Sequence, residues 1–293
     1  MRDFEGKVAV ITGGASGMGK AFAERFAREG VKIVIADIEQ EALDATVQEL
    51  QQAEHDVIGV LADVSSPQAI EELAEKTLAA YGKVHLLFNN AGVGGGDEGT
   101  NLWDHSLQDW QWTFGVNFWS VVHGIKTFLP IMLEQGEEGH VINTASIAGL
   151  IGSARLDIYG ATKFAVVRIT EALHFQLADL DSKVKASVLC PGFVETNIGT
   201  SWRNRPDELW TGGVRPSDEE LERRRQVRIT AQAVRTNVIT PQQVADQVFA
   251  AVRDEQFYIL THDNFDDAIR LRADNILARR NPEAIAPQTA AGD

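Results

Sequence analysis

The stretch VITGGASGMGKA, residues 10–21, decides the fold. It overlaps the end of a short apolar run, KVAVIT (7–12), and leads into an amphipathic segment at 19–29. A strand that runs through glycines into a helix is the opening of a nucleotide-binding βαβ unit. Gly13, Gly17 and Gly19 are spaced TGxxxGxG, with Ser16 and Met18 between them. Such spacing lets a pyrophosphate approach bare backbone at a helix N-terminus, where amide donors and the helix dipole favour anions. Taken alone, the glycines also fit a turn that holds no ligand.

Asp37 supplies the second half of the pattern. It ends the next apolar run, VKIVIAD (31–37), 20 residues after Gly17. An acid there accepts the adenosine ribose hydroxyls and repels a 2′-phosphate. Ile38 and Glu39 bring no basic side chain to reverse that preference, so NAD is expected and NADP is disfavoured. A turn residue or helix N-cap is the alternative reading of Asp37.

Further runs continue the rhythm: DVIGVLAD (56–63), VHLLFNNAG (84–92), GHVINTAS (139–146), KVKASVLCPG (183–192) and QFYILTH (256–262). Helical patterns, as at 67–81, lie between strands that read as buried on both faces, which predicts a parallel sheet. The expected fold is α/β: one doubly wound, Rossmann-like domain with a seven-stranded parallel sheet and helices on both faces. Residues 1–262 would form the catalytic domain, with 195–237 as a substrate segment or lid. Residues 263–293 would add a helix and a loose tail.

Composition narrows the function. A net charge of −15 argues against nucleic acid and anionic membrane as partners. No apolar run reaches the roughly 20 residues of a membrane span. One cysteine, Cys190, excludes an intrachain disulfide and fits a reducing compartment, so the cytoplasm is the expected location. The histidines form no metal-ligand spacing, so no metal site is expected.

Chemistry enters at DIYGATKFAVV, residues 157–167. Of the three tyrosines, only Tyr159 has a lysine four places on, Lys163. Helix positions four apart share a face. A neighbouring ammonium lowers a phenol's pKa, which would make Tyr159 an acid/base. An exposed surface pair is the alternative.

Read in order from residue 7 to 260, these motifs resemble the short-chain dehydrogenase/reductase family. TGGASGMG (12–19) looks like the family's cofactor turn. ADV (62–64) looks like its adenine contact, with Asp63 on the base and Val64 beside it. NNAG (89–92), with Asn90, Ala91 and Gly92, looks like the motif lining the adenosine pocket. Asn117, Ser146, Tyr159 and Lys163 match the catalytic tetrad. PGFVET (191–196), with Pro191, Gly192, Val194 and Thr196, looks like the nicotinamide-contacting turn. The resemblance implies that Tyr159 exchanges the proton, Ser146 orients the substrate oxygen, Lys163 also holds the nicotinamide ribose, and Asn117 holds a relay water.

The resemblance also implies a homodimer or homotetramer through the helix near Trp110 and the helix of Tyr159; Trp103 and Trp112, in the tryptophan-dense stretch 101–114, are expected at a subunit contact. Substrate selection is expected near 94–96, around 153–157 and after Thr196. Phe193, Ile198, Trp202 and Trp210 there suit a bulky apolar secondary alcohol or its ketone: aryl, alicyclic or steroid-like. Alternatives are an NADPH-dependent ketoacyl-type reductase, a non-catalytic NAD-binding sensor, and a dehalogenase or lyase relative. The intact Ser146, Tyr159 and Lys163 oppose the sensor, and the intact glycine turn and Lys163 oppose the last.

Overall fold

The computed structural model describes residues 1–95, 100–153, 157–233 and 236–283. Residue 96 and residues 154–156 of the expected pocket rim, 234–235 of the expected lid, and 284–293 of the expected tail lie outside the described residues. In chain order the elements are β1 Val8–Thr12, α1 Gly17–Ala27, β2 Lys32–Asp37, α2 Gln40–Gln52, β3 Val57–Leu61, α3 Pro67–Tyr81, β4 Leu86–Asn89 and α4 Leu107–Phe114. Then come α5 Ser120–Gln135, β5 Gly139–Thr144, α6 Asp157–Asp179, β6 Val184–Cys190, α7 Asp218–Ala233, α8 Pro241–Arg253, β7 Tyr258–Leu260 and α9 Asp266–Leu277.

The seven strands form one parallel sheet in the order β3-β2-β1-β4-β5-β6-β7. Alternate strand residues feed opposite faces. Ala9, Ile11, Ile33 and Ile35 pack with Phe22 and Phe26 of α1, Leu43 of α2, and Val248 of α8. Val8, Val10, Val34 and Ala36 pack with Leu73 of α3, Phe128 of α5, and Leu173 of α6. Each buried Phe or Leu contributes about 1.5–3 kcal/mol, so both helical layers are held mainly by apolar burial.

Local signals set the helix ends. Ser66 caps α3 by accepting from the Ala69 N–H at 3.3 Å, Pro67 follows, and Gly82 ends the helix in the left-handed conformation. Thr240 and Gln243 form a capping box on α8. The run Leu107–Gln135 is long and apolar enough to cross a membrane by length and composition. Here it lies on the sheet, with Trp112, Val121, Phe128 and Met132 buried. The strand order reverses direction at β1 and β4. Ligands of such sheets bind there, outside the carboxyl ends of the strands.

Candidate active site

The carboxyl ends of β1, β2, β4 and β5 open into a cleft of about 350 Å³. Its walls include Gly13, Ser16, Gly17, Met18, Asp37, Asp63, Val64, Asn90, Ala91, Gly92, Tyr159, Lys163, Pro191 and Thr196. Most residues singled out from the sequence therefore share one space. Gly19, Gly192 and Val194 stand behind its surface. A Cβ on Gly19 would lie 2.1 Å from the Gly13 carbonyl oxygen, so this glycine lets α1 sit on its own turn. Gly192 packs under His262 and Phe265, and Val194 bridges to Ile239.

The turn is fastened to β4 by polar bonds. Asn90 Nδ2 donates to the Thr12 carbonyl at 3.0 Å, and the Asn90 N–H donates to Thr12 Oγ1 at 2.9 Å. Gly13 has φ +63°, and a Cβ there would meet Ala91 Cα at 2.8 Å. The N-cap of α1, Ser16, makes no side-chain capping bond, which leaves first-turn amides facing the cleft. Asp37 is only 9% exposed. Its Oδ2 accepts from the Ala15 N–H at 3.0 Å and its Oδ1 from the Glu39 N–H at 3.1 Å. Each oxygen keeps a second lone pair. Glu39, not Asp37, is the N-cap of α2. Bare backbone, free helix amides and a buried acceptor match the pyrophosphate and ribose of a dinucleotide, so the residues present fit NAD.

At the other end, Tyr159 stands close to Ser146, whose Oγ donates to the Pro191 carbonyl at 3.4 Å. Ser146 also accepts from the Ala148 N–H at 3.1 Å, which pins its position after β5. Lys163 is buried, donates to the Thr144 carbonyl at 3.0 Å, and stands 5.5 Å from the centre of the Tyr159 ring. Asn117 lies in a π-helical turn, Gly115–Trp119, between α4 and α5. Such turns displace the backbone register and are frequent at functional sites. Asn117 Oδ1 accepts from the Val93 N–H at 2.7 Å. Its Nδ2 donates to the Val93 carbonyl at 3.0 Å and to Thr162 Oγ1 at 3.2 Å. Both amide donors are thus engaged, and one Oδ1 lone pair is left for the expected water. Asn117 and Lys163 flank Gly92, where a Cβ would lie 3.3 Å from Asn117 Oδ1 and 3.6 Å from Lys163 Nζ.

Tyr159 and Lys163 are both shifted by their burial. Burial raises the Tyr159 pKa, and the nearby Ser146 hydroxyl only partly opposes it. Burial also lowers Lys163, to about 8. With its pKa near 8 the amine keeps most of its proton at neutral pH, so its charge is available to a phenolate there. Cys190, buried beneath this pair, is pushed up to about 12 and is an inert thiol.

Other departures concern the walls. Of the four residues expected to select substrate, only Ile198 lines the cleft. Phe193 stacks edge-on against Phe265, and Trp210 is buried. The apolar wall is instead Val93, Trp112, Val116, Ile198, Pro206 and Leu209, with Gln111 and Ser201 as polar points. Trp112 is 3% exposed within its own chain and is not available to a partner, whereas Trp103 is 81% exposed. Phe265 and Ile269, beside and within α9, pack on Ile147 and Ile151, just after Ser146.

Two pairs carried no sequence signal. Arg205 bonds Asp109 at 2.7 Å, with side chains 5% and 11% exposed. Its guanidinium lies 5.0 Å from the Trp112 ring and 4.9 Å from that of Trp210. Arg203 bonds Glu39 at 2.5 Å at the Asp37 end of the cleft. The partners are far apart in the chain, and no periodicity links them.

Comparison with known proteins agrees with this architecture. A crystal structure of a short chain dehydrogenase/reductase from Burkholderia phymatum, in complex with NAD, superposes with a TM-score of 0.89. It is 46% identical, and the match covers 97% of this chain and 99% of that one. A CLA biosynthesis dehydrogenase/reductase from Lactiplantibacillus plantarum is 34% identical over 285 residues, 97% of each chain. A 1-deoxy-11-beta-hydroxypentalenate dehydrogenase from Streptomyces avermitilis is 34% identical over 264 residues, 90% of this chain and 86% of that one. The short chain dehydrogenase profile matches residues 7–207, and with the sheet order and cleft described above it identifies the chain as a member of the short-chain dehydrogenase/reductase family of oxidoreductases.

Proposed function

We propose that this protein is an NAD(H)-dependent dehydrogenase that interconverts a bulky apolar secondary alcohol and its ketone, with Tyr159 as the acid/base. The observation that carries the reading is a single cleft with Tyr159 and Lys163 at one end and Asp37 at the other. Ser146 and the Tyr159 hydroxyl together hold the substrate oxygen and orient it. In ketone reduction Tyr159 donates its proton to that oxygen, and its raised pKa keeps the proton in place until then. In alcohol oxidation it takes the hydroxyl proton. Bound NAD would supply the hydride acceptor, and its cationic nicotinamide would favour the phenolate and so help Tyr159 act as a base. Lys163 returns the proton toward solvent past Gly92 and the engaged Asn117 amide.

The aliphatic and aromatic wall from Val93 to Leu209 suits an apolar body with one or two polar anchors. The hydroxypentalenate named for the Streptomyces relative supports a bulky hydroxylated substrate. A homodimer or homotetramer belongs to this reading, because Trp119 and Phe175 leave half or more of their surface exposed beside α5 and on α6. The NADPH-linked ketoacyl-type alternative gains one observation, the Arg203 guanidinium at the Asp37 end.

Initial rates with NAD and NADP across a panel of apolar secondary alcohols test the proposal, with Tyr159→Phe alongside. The expected result is NAD-linked turnover that falls about 10²–10⁴-fold in the variant while NADH affinity changes little. Full turnover in Tyr159→Phe, or faster turnover with NADP in the wild type, would overturn it.

A further inference from the structure

Asp37 does not face the adenosine end of the cleft alone. The segment after Thr196 folds back so that Arg203 and Asn204 reach the start of α2, and all of Asp37, Glu39, Arg203 and Asn204 line the cleft. Arg203 is aimed before any ligand arrives. Its Nη1 donates to the Asn197 carbonyl at 3.3 Å, the Thr200 carbonyl at 3.1 Å and Thr200 Oγ1 at 3.3 Å. Its Nη2 donates to Glu39 Oε1 at 2.5 Å, and Asn204 Nδ2 donates to the same oxygen at 2.8 Å. Glu39 in turn is tied to Asp37, whose Oδ1 accepts from the Glu39 N–H. A pre-oriented guanidinium beside the ribose acceptor is the usual means of holding a 2′-phosphate bidentately. Here a carboxylate occupies it.

We propose that Glu39 is a second determinant of cofactor selectivity, acting by masking Arg203: with Glu39 ionised, the guanidinium is neutralised and the ribose end stays anionic. The inference rests on the NAD reading above. Burial works to raise the Glu39 pKa, yet the bonds from Arg203 and Asn204 outweigh it and hold it below the ordinary value, so the mask stays charged at neutral pH. Removing the Glu39 charge frees Arg203 for a 2′-phosphate while Asp37 still opposes that phosphate. The result is a change in the ratio of the two affinities, not a full reversal.

The test is fluorescence titration of NADH and NADPH against wild type, Glu39→Gln, Arg203→Gln and the double variant. Glu39 makes no capping hydrogen bond to α2, so Gln there leaves the helix start intact. In Glu39→Gln the NADPH-to-NADH affinity ratio should rise about tenfold, the scale of one charge-assisted hydrogen bond. The rise should vanish in the double variant, because it needs the free Arg203. A ratio unchanged in Glu39→Gln overturns the proposal. So does an equal rise in the double variant, which would mean that Glu39 acts only by its own repulsion. If the wild type itself binds NADPH more tightly than NADH, the NAD reading fails and this proposal with it.

Discussion

Replacing Arg205 with alanine should unfasten the segment between Asn197 and Gly213 from the wall of the cleft. Arg205 Nη1 is 2.7 Å from Asp109 Oδ1 in a nearly water-free site. Its Nε and Nη2 both donate to the Leu209 carbonyl, and the Trp112 and Trp210 rings both lie within about 5 Å of the guanidinium. Asp109 is committed as well, since its Oδ2 takes the Ser106 N–H at 3.0 Å and closes the capping box of α4. Removing the cation leaves a buried carboxylate uncompensated and a carbonyl unpaired. Breaking one partner of a buried pair costs about 3–5 kcal/mol, and each lost cation–π contact costs about 0.5–2 kcal/mol. These terms overlap, so about 3 kcal/mol is the safe lower figure.

The sheet does not depend on this pair, so the cost should fall on the local equilibrium between docked and open segment. Three kcal/mol is on the order of a 10²-fold rise in the open population. Limited proteolysis with cleavage sites mapped by mass spectrometry reads that population when closing is faster than cleavage. Cutting between Asn197 and Gly213 should accelerate on the order of 10²-fold, while cutting elsewhere stays at the wild-type rate. Arg205→Lys, which keeps the charge but loses the planar fork, should fall between. Burial works to raise the Asp109 pKa, but the Ser106 and Arg205 bonds hold it below the ordinary carboxylate value. The docking is therefore present above that ordinary value and lost only as pH falls through the depressed one. An acceleration under about threefold in Arg205→Ala would refute the argument that this pair holds the segment.

The pH dependence of stability should carry the mark of Lys163. Its folded pKa is about 8 against an ordinary value of 10.5, so the unfolded chain binds the extra proton between those values and stability rises with pH there. The rise is at most about 1.4 kcal/mol per pH unit. Above about pH 9 it is offset by Cys190, which keeps its proton up to about 12 in the folded state. Urea midpoints of the ligand-free protein should therefore climb from pH 8 to 9 and level off, and Lys163→Met should remove the climb. An unchanged slope in that variant would sink the assignment. Among glycines, Gly19→Ala should weaken NADH binding at least about tenfold, because the added Cβ meets the Gly13 carbonyl at 2.1 Å and the turn must move. Gly82→Ala meets nothing within 4 Å and should cost only the roughly 1 kcal/mol of its left-handed φ, with binding unchanged. Equal binding losses in the two variants would show that the close approach at Gly19 is not what matters.

The parts of this molecule legible in its sequence are those where one local pattern implies one geometry. Seven apolar runs became seven strands, displaced by at most a few residues at their ends. The last kept only Tyr258–Leu260, because pairing with β6 stops at Cys190. The glycine spacing, Asp37 and the Tyr159/Lys163 interval all landed on one cleft, since each is fixed within a single βα unit or helix turn. What was not legible depends on chain return. Trp112, on sequence alone, is expected at a subunit contact, but Arg205, from a segment 93 residues later, lies over it within the chain. Arg203 reaches Glu39 across 164 residues, so a reading confined to the neighbours of Asp37 found no base there.

Lys163 shows a different limit of spacing, one of magnitude. The interval of four put the ammonium on the right face, and the sign of its effect on a phenol was sound for a charged amine. Burial depends on which walls close around the pair, and these walls come from β5, β6 and Gly92. They lower the amine and raise the phenol together, yet an amine near 8 still carries its proton at neutral pH. A proton donor is thereby ready for ketone reduction at neutral pH. A base for alcohol oxidation draws on positive charge next to Tyr159, from the Lys163 ammonium or a cationic neighbour. The direction of catalysis is thus tied to the charge of whatever lies beside Tyr159, which the spacing of two residues in a sequence cannot express.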